Sequence, residues 1–193
     1  MELLREATGV TASFGGAHPG KGTQNALIGL GDGCYLELLA PNPDDLAGPT
    51  VARAFARYQS LTPIGWAIGT RDIQGVLSAA GADAARGGGI QLGARQRPDG
   101  TTLRWRTLTP WSAPSELLPF YIEWDGASVH PSTDLPQGCQ PAGFALGSPA
   151  ADSLTATLQG AGVPISVASS ARAEMLLTLN GELGLVSFRN RVP

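Results

Sequence analysis

Apolar residues recur along this chain in two periods, and the switches between them mark the elements. Leu3, Leu4 and Ala7 share one side of a short helix, which Gly9 stops. Val10–Phe14 reads as a short β run, and Gly15–Gly22, with His18 and Pro19 inside it, reads as a loop. Thr23–Leu30 and Cys34–Ala40 are apolar runs around Gly31-Asp32-Gly33, a hairpin signal. Val51–Tyr58 predicts a short helix and Pro63–Gly69 a strand. Ile73, Val76, Leu77 and Ala80 stand at helical spacing behind Thr70 or Asp72 as cap. Ile90–Gln96, Thr101–Leu108 and Leu117–Trp124 predict strands, with a turn at Pro98-Asp99-Gly100 and loops over Gly81–Gly89 and Thr109–Glu116. A polar, Pro-containing linker, Asp125–Gly138, leads to a last block. It comprises a β run at Pro141–Leu146, a helix opened by Asp152, and strands at Val163–Val167, Ala173–Leu179 and Leu183–Phe188, with Asn180-Gly181 as the final hairpin turn.

Written as elements, residues 62–126 read strand, helix, strand, strand, strand. Residues 139–191 read the same way, and residues 1–40 read as that unit without its first strand. A recurring supersecondary unit decides the fold before local detail does. The first two copies also share local sequence: Gly22-Thr23 corresponds to Gly100-Thr101, and Tyr35-Leu36-Glu37 to Tyr121-Ile122-Glu123. The expected fold is α+β. Paired βαβββ modules over 1–126 form a curved mixed sheet with helices outside and a concave pocket for a small-molecule ligand, and an additional module follows.

Totals narrow the classes. The 193 residues carry a formal net charge of -3 and 15% charged residues, so no basic patch points to nucleic acid or a membrane surface. The apolar runs are strand-sized, far short of a membrane span. The N-terminus lacks the apolar core of a signal peptide, and Cys34 and Cys139 lie far apart, so a cytoplasmic protein with reduced thiols is expected. Gly20-Lys21-Gly22-Thr23 precedes a strand rather than a helix, which argues against a phosphate loop, and no Gly-x-Ser-x-Gly elbow occurs.

Three stretches stand out: His18-Pro-Gly-Lys-Gly-Thr-Gln-Asn-Ala-Leu-Ile-Gly-Leu-Gly-Asp-Gly-Cys-Tyr-Leu-Glu-Leu through Pro41, Arg97-Pro-Asp-Gly-Thr-Thr-Leu-Arg-Trp-Arg, and Leu118-Pro-Phe-Tyr-Ile-Glu-Trp followed by His130-Pro. They give the chain a resemblance to the glyoxalase-like domain family of the vicinal-oxygen-chelate superfamily. This resemblance implies a lyase- or isomerase-like activity on a small polar metabolite or, alternatively, non-catalytic sequestration of such a molecule. Metal-using relatives draw carboxylate ligands from the last strand of each module, which by position implies Glu37 and Glu123 for a divalent metal ion or for acid–base work. Relatives usually begin with an Asp-His strand that corresponds to nothing in this sequence. The expectation is therefore a homodimer in which a partner fills the gap, or a chain that starts further upstream.

Alternation sets Glu37 on the opposite face from Leu36 and Leu38, either solvated or in a pocket. His18 is a candidate base at a loop rim or a capping residue. One of Gln24 and Asn25 points into the cup; Asn25 is the candidate for binding substrate. Arg104 and Arg106 share a face, suited to an anion or merely to solvent, while Trp105 takes the other. Tyr35, Trp66, Trp105 and Tyr121 are candidates for an aromatic pocket wall.

Overall fold

The computed structural model describes residues 1–58, 60–81, 88–111 and 117–191. Three sheets carry the chain. β1 (Ser13–His18), β2 (Thr23–Gly31) and β3 (Cys34–Pro41) form an antiparallel meander behind α1 (Glu2–Thr8), which ends at Gly9 with φ 83°. α2 (Gly48–Phe55) follows and packs near β3. β4 (Ala67–Gly69), α3 (Ile73–Ala80), β5 (Gln91–Gln96), β6 (Thr102–Leu108) and β7 (Phe120–Trp124) make the second sheet in the order β4-β7-β6-β5. Asp72 caps α3 by accepting from Gly75 N at 2.8 Å. β8 (Gln140–Ser148), α4 (Ala151–Gly160), β9 (Val167–Ser169), β10 (Glu174–Gly181) and β11 (Gly184–Arg191) build the third sheet in the order β11-β10-β8-β9.

This mixed architecture is the expected α+β one. β1-β2-β3 repeats β5-β6-β7, and β7 has the parallel partner β4 where the outer edge of β3 has no strand among the described residues. The third unit shares the order of elements along the chain but not the order of strands. β9 lies directly beside β8 as a parallel βαβ pair, whereas β4 lies beside the last strand of its unit.

The first two sheets meet edge to edge at β1 and β5. A Cβ on Gly16 (φ 135°) would lie 2.2 Å from the Gln96 carbonyl oxygen, so only glycine allows this approach. The joined surface is strongly curled. Five strand spacings separate β3 from β7, which in a flat sheet is about 24 Å at roughly 4.8 Å per strand. Yet the Tyr35 and Trp124 rings on those strands lie 6.4 Å apart.

Each outer face is covered. Ala26 and Ile28 pack with Leu4 of α1, and Phe188 of the third sheet closes over them. Leu108 and Tyr121 pack under Ile73, Val76 and Leu77 of α3. Met175, Leu146 and Leu158 form a further core that takes in Trp66, Ile68 and Leu117.

Several expected bounds shift for local reasons. β1 runs through Gly15 and Gly16 to His18, so His18 ends a strand rather than sitting in a loop. The apolar run from Val163 yields a strand only at Val167–Ser169. Pro164 within it has no N–H to donate. The last hairpin reverses at Glu182 and Leu183, because Gly181 pairs with Gly184; Asn180 is already paired with Leu185. Residues 82–87 and 112–116 of the two expected loops lie outside the described residues.

Candidate functional site

β2 carries Thr23, Asn25, Leu27 and Gly29 on the concave face and Ala26 and Ile28 on the outer one, as strand alternation requires. Register across the hairpin places Glu37 opposite Leu27 and Tyr35 opposite Gly29. His18, at the end of β1, pairs with Thr23. These positions bring His18, Asn25, Glu37 and Tyr35 onto one surface.

Asn25 is the hub. Its Nδ2 donates to Glu37 Oε1 at 2.6 Å and lies 3.3 Å from His18 Nε2. The short contact to a carboxylate identifies that atom as the amide nitrogen, since an oxygen there would repel. Its second hydrogen then faces His18 Nε2, which must accept. His18 therefore carries its proton on Nδ1, 2.8 Å from Thr23 Oγ1, and is neutral. Burial, chiefly, pushes the His18 pKa below its ordinary value, against an upward pull from Glu37. The His18 Nε2 to Glu37 Oε1 distance is 3.7 Å, an ion pair only if His18 is protonated. Glu37 keeps about a third of its side chain exposed (35%), while His18 and Asn25 are buried. Asn25 Oδ1 is buried and has no hydrogen-bond partner among the described residues.

An aromatic wall encloses this cluster. Trp105 comes from β6 with its ring centroid 6.1 Å from that of His18. Its indole lies over Gly93, where a Cβ would fall 2.2 Å from the ring. Trp124 packs 5.2 Å from Trp105. His130, from the linker, stands 5.9 Å from Tyr35 and 6.0 Å from Trp124. The linker crosses the cup and is tied to β2 by Gly29 N donating to Pro136 O at 2.9 Å. Burial raises the Tyr35 pKa to about 12, helped by the charge of Glu37.

Other candidates lie elsewhere. Glu123 faces the helix side: Oε2 accepts from Ile73 N at the start of α3 (2.8 Å), and Oε1 accepts from Arg106 (2.7 Å). Glu37 and Glu123 therefore do not converge on one ion or one substrate. The matched triplets differ by one residue in register to the cup. Tyr35 and Glu37 point in, whereas Tyr121 packs under α3 and Trp124 is the inward residue of β7. Arg106 shares that outer face with Glu123 and is paired to it, and Arg104 is exposed two residues earlier on the same strand. Trp66 packs on Phe144 of the third sheet, with its indole N–H bonded to Leu117 O at 3.0 Å. Gln24 turns to the Pro41 carbonyl, leaving Asn25 as the inward residue of the pair.

Three cup residues escape the sequence reading. The sequence places Trp124 only at the end of a strand and His130 only in the linker. Arg95, on β5, is buried at the seam beside Asn25 and donates to Gly15 O. The Pro98-Asp99-Gly100 turn sets the register that pairs Gly93 with Trp105 and Arg95 with Leu103, so Arg95 shares the Trp105 face.

A model of the glyoxalase-like domain matches residues 1–162. The chain belongs to the glyoxalase-like domain family. This places it in the vicinal-oxygen-chelate superfamily, and the match spans both sheets that form the cup. A crystal structure of a hypothetical protein from Staphylococcus aureus is similar in fold, with a TM-score of 0.59 and 15% identity over 93% of this chain and 76% of that one. No curated protein matches this sequence. Among the described residues no helix is long and apolar enough to cross a membrane.

A divalent ion of the kind used by metal-dependent relatives does not fit the cluster. Among the described residues no three His, Cys, Asp or Glu side chains converge. The Glu37 and His18 atoms that would ligate an ion are instead bridged by the Asn25 amide hydrogens.

Proposed function

We propose that this glyoxalase-like protein binds a small polar molecule on the concave face and that Glu37 accepts a hydrogen bond or a proton from it. The observation that carries this reading is the Asn25-held carboxylate of Glu37, about a third exposed on a surface otherwise walled by Tyr35, Trp105, Trp124 and His130. Asn25 orients the Glu37 carboxylate with an uncharged donor, which suits a hydrogen-bond or proton acceptor. The aromatic wall also suits a second reading, sequestration without chemistry, because flat rings bury apolar ligand surface.

One experiment separates these readings. A panel of small carbonyl and hydroxy compounds is screened by thermal shift against wild type and Glu37→Gln, and hits are followed by NMR in D₂O. Base chemistry predicts deuterium uptake into a bound hit, abolished in the variant. Sequestration predicts binding with no uptake. Hits whose affinity is the same in both proteins refute the role of Glu37. Homodimerisation through the outer edge of β3 is a separate proposal, tested by sedimentation: a monomer at high micromolar concentration refutes it.

A further inference from the structure

Where the linker roofs β1 and β5, a hollow of about 220 Å³ opens beneath it, with Arg95 at its base. Arg95 is 4% exposed, and among the described residues its guanidinium makes one hydrogen bond, from Nη1 to the Gly15 carbonyl. A guanidinium offers five N–H donors, and a buried charge is ordinarily paired. No carboxylate stands within ion-pair distance of Arg95 among the described residues. Glu37 and Asp134 act on it only from further off.

The other charges at the hollow are already engaged. Arg97 pairs with Asp134, and Asp99 accepts from Thr101 N and Oγ1. Asn25 Oδ1 is buried and has no hydrogen-bond partner among the described residues, and it and Arg95 Nη1 both crowd Gly15: a Cβ there would lie 2.3 Å from the first and 2.6 Å from the second. Apart from Ser13, the remaining side chains of the lining are apolar, with Leu27 in the floor, Pro131 and Leu135 in the roof, and the half-exposed Phe14 ring at the mouth.

We propose that this hollow is a binding site for a small organic carboxylate with a compact apolar body. The carboxylate seats on the free donors of Arg95, as planar guanidinium–carboxylate pairing favours, and the body packs between Phe14 and the roof. Asp99 and Asp134 at the same hollow disfavour a dianion such as phosphate. Glu37 does not line the hollow, so the proposal stands apart from the reading of Glu37 as a proton acceptor.

The test uses the full chain and four probes: benzoate, its neutral analogue benzamide, acetate and inorganic phosphate. Binding is read by calorimetry and by the NMR signals of the Arg95 Nε–H and the Phe14 ring. Benzoate should bind saturably, move both signals, and exceed each other probe by at least about tenfold, one guanidinium–carboxylate contact or one packed ring being worth that much. Arg95→Met should abolish benzoate binding, because it removes the guanidinium on which the carboxylate seats. Phe14→Ala should weaken benzoate severalfold. Equal binding of benzamide, a static Arg95 signal, or full affinity in Arg95→Met overturns the proposal. If Arg95→Met does not fold, Phe14→Ala decides: weakened benzoate with a shifted Arg95 signal supports the site, and unchanged affinity overturns it.

Discussion

Replacing Gly16 with alanine should break the seam on which the cup depends, at a cost that can be separated from the ordinary penalty for a left-handed residue. Gly16 has φ 135°, and its new Cβ would sit 2.2 Å from the Gln96 carbonyl oxygen, a rigid backbone atom of β5. The dihedral alone costs about 1–3 kcal/mol for a non-glycine residue. Moving β1 off β5 by the ångström needed to clear the oxygen adds roughly 1–3 kcal/mol, the usual cost of overpacking. The sum is about 4 kcal/mol.

Gly20 is the control. Its φ is 71°, and nothing lies within 4 Å of its Cβ position, so Gly20→Ala should cost only about 1 kcal/mol. Urea unfolding followed by tryptophan fluorescence reads both. With a slope near 2 kcal/mol/M, the midpoint should fall by about 2 M for Gly16→Ala and by about 0.5 M for Gly20→Ala. Midpoints for the two variants within about 0.5 M of each other would refute the close approach of β1 to β5, and with it the single curved surface.

Other consequences follow from the same cluster. Burial lowers the pKa of His18 and of His130, so below the ordinary value of 6.5 the unfolded chain takes up protons that the folded one refuses. Stability is therefore full above that value and falls as pH drops below it, read as a urea midpoint that declines between pH 7 and pH 5. Tyr35 has the opposite edge. With its pKa raised from 10.0 to about 12, stability is lost as pH climbs between those values, and one phenol should ionise late in an absorbance titration that Tyr35→Phe shortens. Asn25→Leu keeps the volume but removes a hydrogen bond to a carboxylate and strands His18 Nε2, a loss of about 2–4 kcal/mol in chemical unfolding; a loss under 1 kcal/mol contradicts the hub role.

Much of the fold was written in the chain's periodicity. The Gly31-Asp32-Gly33 hairpin, the α3 spacing behind Asp72 and the stop at Gly9 appear where local sequence puts them, because each depends on near neighbours. The candidate site was legible only in part, and the reason is register. A strand places alternate residues on opposite faces, so matching Tyr35-Leu36-Glu37 to Tyr121-Ile122-Glu123 one residue out of phase sends Glu123 to the helix side and hides Trp124. His18 was hidden for a different reason. Gly15 and Gly16 read as loop, yet they are glycine because Asn25, Leu27 and Arg95 crowd one and β5 abuts the other. Arg95 follows from strand pairing, a long-range fact that composition and local spacing do not carry.

The most direct test of the central claim, that the Asn25 amide feeds both Glu37 and a neutral His18, is an NMR titration of the His18 ring nitrogens in wild type and Glu37→Gln. The geometry predicts a neutral imidazole at pH 7 protonated on Nδ1, with a pKa below 6.5 that drops further when the Glu37 charge is removed. A proton on Nε2, or an ordinary pKa indifferent to Glu37→Gln, would contradict it.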